Sequence, residues 1–256
     1  MKQYKRALVI GASSGIGRAL TEQLLAEGAF VALVGRNRTA MEAIEENLKH
    51  PASSPAAKGE RGKAFIYPHD VRNYSEVPAL FQQVTHDLGG LDLVIYNSGV
   101  MFTLDEHEYS FEKDREVIEV NVLGAFAWFD EAAKRFEQTR GGTIVGISSV
   151  AGDRGRRGNP AYGTSKAALT TFLESLRNRL SRFGVKVVTI KPGFIDTEMT
   201  RGKPGLFWLI TPDEAAKQIL HAARSGKSTA YIPGRWRAVS FVLRSIPSFI
   251  FKHLPV

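Results

Sequence analysis

Seven short, β-favouring apolar runs recur along the chain, at residues 7–10, 30–34, 64–67, 91–96, 143–147, 186–190 and, more weakly, 230–232. Several are almost continuously apolar. A strand with one wet face alternates apolar and polar residues, so an unbroken run predicts burial on both faces. Helix-length stretches with apolar residues three and four apart, such as 18–27 and 161–182, lie between the runs. Strand and helix in regular alternation predict a parallel sheet with right-handed crossovers. The expectation is therefore a single-domain α/β fold, a doubly wound parallel sheet with helices on both faces. Only residues 50–63, rich in Pro, Ser, Gly and Lys, read as a long surface loop. We place a domain at 1–234 and a separate tail at 235–256.

The first run leads directly into Gly11-Ala12-Ser13-Ser14-Gly15-Ile16-Gly17 and then a helical pattern. Glycine at 11 permits a sharp turn. Glycines at 15 and 17 let the backbone approach a pyrophosphate and the helix pack close to the sheet. Unpaired N–H groups at the helix start then face phosphate oxygens. This is the turn of a Rossmann-type dinucleotide site, though its Gly-x3-Gly-x-Gly spacing departs from the commoner Gly-x-Gly-x2-Gly. No P-loop lysine follows. The second run ends in Gly35-Arg36-Asn37-Arg38. An acid there would bind ribose hydroxyls, whereas arginine suits a 2′-phosphate. Arg36 and Arg38 thus predict NADP(H) rather than NAD(H).

Tyr162 and Lys166 stand four apart at the start of a predicted helix, on one face, so an ammonium could sit beside a phenol and favour its ionised form. Thirteen residues before Tyr162, the fifth run ends in Ser148-Ser149, at the strand end where open α/β sheets bind ligands. The six histidines show no metal-ligand spacing, so no metal is expected, and His69 reads as structural.

Taken together, these motifs resemble the short-chain dehydrogenase/reductase family in its single-domain branch, over residues 5–234. Gly11, Ser13, Ser14, Gly15, Ile16 and Gly17 resemble its cofactor turn, and Asp70-Val71 its adenine-contacting pair. Asn97-Ser98-Gly99 resembles its fourth-strand motif, with Tyr96 and Ser98 where Asn and Ala are usual. Those two changes predict looser local hydrogen bonding that leaves Asn97 and Gly99 themselves untouched. Asn121, Ser149, Tyr162 and Lys166 match the catalytic tetrad, and the stretch from Pro192 through Ile195 to Thr197 matches the segment that holds the nicotinamide carboxamide. The resemblance implies that Ser149 orients a carbonyl and Tyr162 protonates it. Lys166 would hold the nicotinamide ribose, and Asn121 would position a water linking Lys166 to solvent. It also implies pairing of long helices, at 112–138 and 161–182, into a homodimer or homotetramer.

The implied activity is NADPH-dependent reduction of a ketone or aldehyde, reversible as alcohol oxidation. A catalytically idle NADP(H)-binding sensor or scaffold is the alternative. Residues 198–211 would form a lid whose Leu206-Phe207-Trp208-Leu209 favours a lipophilic substrate. The net charge is +8, and from residue 201 onward nine Lys or Arg face only Asp213 and Glu214. These cations are dispersed among aromatic and aliphatic residues, so a nucleic-acid partner is not expected. The tail is basic, rich in Phe, Ile and Leu and divided by Pro247; it is too short and charged to span a bilayer. Packing on the substrate cleft, on a partner subunit or peripherally on a membrane all stay open. With no cysteine, no signal-like start and no 20-residue apolar run, a cytoplasmic location is expected.

Overall fold

The computed structural model describes residues 3–49, 62–105, 107–202 and 205–254; most of the expected 50–63 loop lies outside them. All seven apolar runs are strands of one parallel sheet: β1 (Arg6–Ile10), β2 (Phe30–Gly35), β3 (Lys63–Pro68), β4 (Leu93–Tyr96), β5 (Gly142–Ile147), β6 (Val185–Pro192) and β7 (Thr229–Ile232). Their order across the sheet is β3-β2-β1-β4-β5-β6-β7. The helices are α1 (Gly15–Ala26), α2 (Arg38–Lys49), α3 (Val77–Asp87), α4 (Phe111–Ile118), α5 (Gly124–Thr139), α6 (Pro160–Leu180), α7 (Pro212–Ser225), α8 (Trp236–Ser245) and α9 (Ser248–Phe251).

The unbroken apolar runs follow from two separate cores. Ala7 and Val9 of β1, Val31 and Leu33 of β2, and Leu93 and Ile95 of β4 face a layer containing Leu20 and Leu24 of α1, Met41 of α2 and Ile219 of α7. Their neighbours Leu8, Ile10, Ala32, Val34 and Val94 face the opposite layer, with Phe81 of α3, Trp128 and Phe129 of α5, and Leu169 and Leu173 of α6. Each strand thus spends both its side-chain rows on burial, at roughly 1.5–3 kcal/mol per fully buried large side chain. The buried polar residues in these rows are partnered: Thr143 accepts from the Tyr4 hydroxyl and Thr189 from the Arg177 guanidinium.

Winding outward from β1 in both directions separates the crossovers to β2 and to β4 onto opposite faces. Their loops diverge at the carboxyl ends of β1 and β4, leaving a crevice there. One helix expected at 112–138 is instead interrupted. Between α4 and α5 the chain takes a π-helical turn, Glu119–Leu123, which widens the helix around Asn121.

Candidate active site

The strand ends converge on a cavity of about 610 Å³. Of the expected residues, Gly11, Ser13, Ser14, Gly15 and Ile16 line it from the first turn, and Arg36, Asp70 and Val71 from the ends of β2 and β3. Asn97 and Gly99 border it after β4, and Ser149, Tyr162 and Lys166 on the β5–α6 side. Pro192, Ile195 and Thr197 complete the wall after β6. Gly17 and Asn121 do not reach the cavity; both act behind its surface.

Gly11 has φ +85°. A side chain at Gly17 would place its Cβ 1.9 Å from the Gly11 carbonyl oxygen, so only glycine lets α1 start this close to β1. The Asn97 amide donates to that same carbonyl at 3.0 Å, tying the turn to the end of β4. Ser14, at the N-cap of α1, is extended and makes no side-chain capping bond, and the first turn of the helix carries no acid. An uncapped helix start lining a cavity, with a guanidinium at one end, suits a phosphate-bearing ligand.

The two arginines after β2 separate in the structure. Arg36 is exposed and lines the cavity. Arg38 turns along α2 toward Glu42, at 3.4 Å, and does not line it. At the end of β3, Asp70 is held by its neighbour: the Arg72 guanidinium donates to both carboxylate oxygens, at 3.1 and 2.7 Å, and the Arg72 amide adds a third bond. These bonds bring the carboxyl down to about 2. His69 is buried, 3.3 Å from Glu76, with its Nε2 unpartnered. Burial lowers its pKa, so it is neutral at neutral pH.

Ser148 and Ser149 have different tasks. Ser148 Oγ donates to the Lys166 carbonyl at 2.9 Å and meets Thr170 Oγ1 at 2.8 Å, anchoring β5 to α6. Ser149 caps the following 3-10 turn, accepting from the Ala151 amide at 3.1 Å. Tyr162 lies beside it in the cavity wall, close enough for the Ser149 hydroxyl to pull the phenol's pKa down. Asp153, at the end of that turn, pairs with buried Lys191 of β6 and accepts from the Tyr231 hydroxyl of β7 at 3.0 Å. The turn bearing Ser149 is thereby tied to the two strands beside it.

The expected electrostatics of the tyrosine–lysine pair do not hold. Burial raises the Tyr162 pKa, with the Ser149 hydroxyl acting against it. The Lys166 ammonium lies 5.6 Å from the phenol ring centroid and donates instead to the Ile147 carbonyl at 2.9 Å. Burial also lowers Lys166 to about 8, which weakens the charge the sequence offered to the phenol. The Tyr162 phenol therefore keeps its proton at neutral pH.

This burial has a consequence for stability. Between pH 8 and the unfolded lysine value the unfolded chain holds a proton that the folded chain has released, so stability rises with pH there. Below that window the folded state bears the whole desolvation cost. From pH 8 to 10 the gain is about 2 kcal/mol. Scanning calorimetry of the ligand-free protein across this range is expected to show the rise, and Lys166→Met to lose it. Parallel pH profiles for the two proteins would refute it.

Asn121 is fully buried, and its side chain is fully engaged. Its Oδ1 accepts from the Val100 amide at 2.8 Å, while its Nδ2 donates to the Val100 carbonyl and to Ser165 Oγ, each at 3.0 Å. Ser165 in turn donates to the Tyr162 carbonyl at 2.7 Å. The side chain thus ties the loop after β4 to the first turn of α6.

Tyr96 corrects the expectation of looser bonding after β4. Its buried hydroxyl donates to the Val120 carbonyl at 2.6 Å, pinning the π-helical turn next to Asn121. Gly124 makes room for it, since a Cβ there would stand 2.5 Å from that hydroxyl. Nothing local in the sequence marks this pairing across 24 residues.

Arg156 was also missed. It lines the cavity with its Nε buried and without a hydrogen-bond partner, and burial lowers its pKa. The only signal in the sequence was a basic residue in the loop before Tyr162.

A model of the family described as short chain dehydrogenase matches residues 5–204. An uncharacterized oxidoreductase of Myxococcus xanthus is 36% identical over 197 residues, which are 77% of this chain and 74% of that protein. Another from Staphylococcus aureus is 32% identical over 219 residues, covering 85% and 90% of the two chains. Among solved structures, a short-chain type dehydrogenase/reductase from Mycobacterium ulcerans superposes with a TM-score of 0.78 at 24% identity, over 89% of this chain and 87% of its own. ElxO with NADP bound superposes at 0.75 and 23% identity, over 90% and 97%. These two structures show the shared fold; the family model and the sequence relatives show that the chain belongs to the short-chain dehydrogenase family, as an oxidoreductase.

Proposed function

We propose that this protein uses NADP(H) to reduce a ketone or aldehyde on a lipophilic molecule, and that it oxidises the corresponding alcohol in the reverse direction. One observation carries the reading: the Ser149 hydroxyl and the protonated Tyr162 phenol line the same cavity as Lys166 and the uncapped start of α1. The residues fit a dinucleotide. Its phosphates would lie against the α1 turn, its 2′-phosphate near Arg36 and its adenine near Asp70 and Val71. The nicotinamide would lie between Ile195 and Thr197 on one side and Tyr162 and Lys166 on the other. When bound, such a cofactor supplies or accepts hydride.

The chain's own groups do the remainder. Ser149 offers its hydroxyl to the substrate carbonyl oxygen, fixing its orientation beside Tyr162. Tyr162 gives its proton to that oxygen as negative charge develops, and takes it back in the reverse direction. Lys166, already desolvated, gains a partner when the nicotinamide ribose hydroxyls arrive. Asn121 keeps the first turn of α6 in register with the β4 loop, so that Tyr162 stays beside Ser149.

Substrate class is supported by the rest of the wall. Val100, Met101, Val150, Met199 and Leu206 make it apolar, with Arg156 as a cation able to meet an acceptor-rich or anionic end group. A structural neighbour at 25% identity is a 3-oxoacyl-[acyl-carrier protein] reductase from Brucella melitensis, itself named for reducing a 3-oxoacyl group. The test is a panel of ketones and aldehydes graded by chain length and end charge, followed by loss of absorbance at the reduced-nicotinamide band. Turnover is expected, rising with apolar length. Tight NADPH binding with no turnover on any member would favour the idle sensor instead.

A further inference from the structure

We propose that the outward face of α8 and α9, together with residues 207–209, docks peripherally on an anionic lipid bilayer. The sequence of this region sets up the face. Trp236 and Ser240, four apart on α8, are buried against the domain. The other side of the helix then presents Phe241 and Val242, 66% and 59% exposed, and α9 adds Phe249 and Ile250. Phe207, Trp208 and Leu209 are each exposed by more than two-fifths.

Residues 207–208 are joined to the base of α8 through Trp236. Trp236 packs against Gly193, where a Cβ would overlap the indole, and Phe207 stacks on Trp236 with centroids 5.2 Å apart. Trp208 meets the same indole edge-on at 5.9 Å, and the Arg235 guanidinium lies 4.8 Å over the Trp208 ring. The helices are also held down. Arg154 donates to the Leu243 carbonyl at 2.7 Å, to those of Arg244 and Ile246, and lies 3.9 Å over the Phe251 ring. Arg157 adds a bond to the Lys252 carbonyl at 3.0 Å. The exposed side chains are therefore presented by anchored helices, and folding has left them in water. Large apolar side chains exposed on helices held this firmly mark an interaction site.

Charge identifies the occupant. Arg235, Arg237, Arg244 and Lys252 are exposed among these apolar groups, and residues 205–211 and 235–254 contain no Asp or Glu. A second copy seated symmetrically here would set cations against cations with no acid opposite. An anionic headgroup layer neutralises them, while the aromatic and aliphatic side chains enter the acyl boundary. No helix among the described residues is long and apolar enough to cross a membrane, so the contact lies in the plane of the interface. Met199 and Leu206, near this face in sequence, line the catalytic cavity, which places the docked surface beside it.

The test is flotation of the full-length protein with vesicles of phosphatidylcholine alone or of about three parts phosphatidylcholine to one part phosphatidylglycerol. Binding is expected only to the anionic vesicles, and to fall as salt is raised. Both Phe241→Ser/Phe249→Ser and Arg237→Glu/Arg244→Glu are expected to lower it by about tenfold or more. Melting and NADPH binding should be unchanged, since none of the four residues lines the cavity. Brominated lipid should quench the emission of wild type more than that of Trp208→Leu. The proposal is overturned if anionic vesicles do not float the protein, or if both double variants float as well as wild type. Light scattering that shows a dimer which Phe241→Ser/Phe249→Ser dissociates, without any vesicle binding, also overturns it in favour of a second copy. Each outcome is independent of whether any carbonyl substrate turns over.

Discussion

Tyr162→Phe is expected to lower kcat by about 10² to 10⁴ while leaving the dissociation constant for NADPH within about threefold. The substitution removes one oxygen and keeps the ring. That ring sits at the start of α6, where its backbone carbonyl accepts from Ser165 and so remains tied to Asn121. The packing that shapes the cavity therefore survives, and so does the turn at the start of α1. What disappears is the proton that must reach the carbonyl oxygen as hydride arrives at carbon. With the phenol hydroxyl gone, Ser149 can only orient the carbonyl. Single-turnover oxidation of NADPH, paired with a fluorescence titration of NADPH binding, separates the two effects. A variant that keeps its rate would show that another group donates the proton. One that loses cofactor binding would show that the phenol is structural.

Arg36→Asp is expected to lower the ratio of kcat/KM with NADPH to that with NADH by about 10² to 10³, since a charge-assisted, two-pronged phosphate contact is replaced by like-charge repulsion. The structure sharpens this prediction relative to the sequence. Two arginines follow β2, but only Arg36 lines the cavity, near enough to Asp70 to help lower its pKa. Arg38 is engaged along α2 with Glu42. Arg38→Asp thus serves as the matched control and should leave the ratio nearly unchanged. Arg36→Gln, which adds no new charge beside Asp70, should give an intermediate ratio. If the ratio for Arg36→Asp equals that of wild type, cofactor selection lies elsewhere.

Much of the site was legible because its residues act where the backbone already puts them. A glycine needed at Gly17 to clear the Gly11 carbonyl, and hydroxyls delivered by the end of β5, follow from local geometry and strand order. The features that escaped notice are contacts between distant segments. Tyr96 read as a weakening departure, yet its hydroxyl reaches Val120 and Gly124 vacates the space. Arg154, Arg156 and Arg157 belong to no motif in the sequence. In the structure Arg154 and Arg157 fasten the C-terminal helices, while Arg156 turns into the cavity.

The sequence by itself determined the sheet, its winding and the convergence of the nucleotide turn, Ser149, Tyr162 and Lys166. Hydrophobic periodicity and glycine spacing are local quantities, and parallel connectivity sends every strand's carboxyl end to the same edge. Only the tertiary structure decided the protonation chemistry and the placement of the tail. A pKa depends on the water excluded by all surrounding elements, which is why burial, rather than the four-residue spacing, sets Tyr162 and Lys166. A helix face is inside or outside only once its partner is known, and Trp236 on Gly193 turned Phe241 and Phe249 toward the solvent.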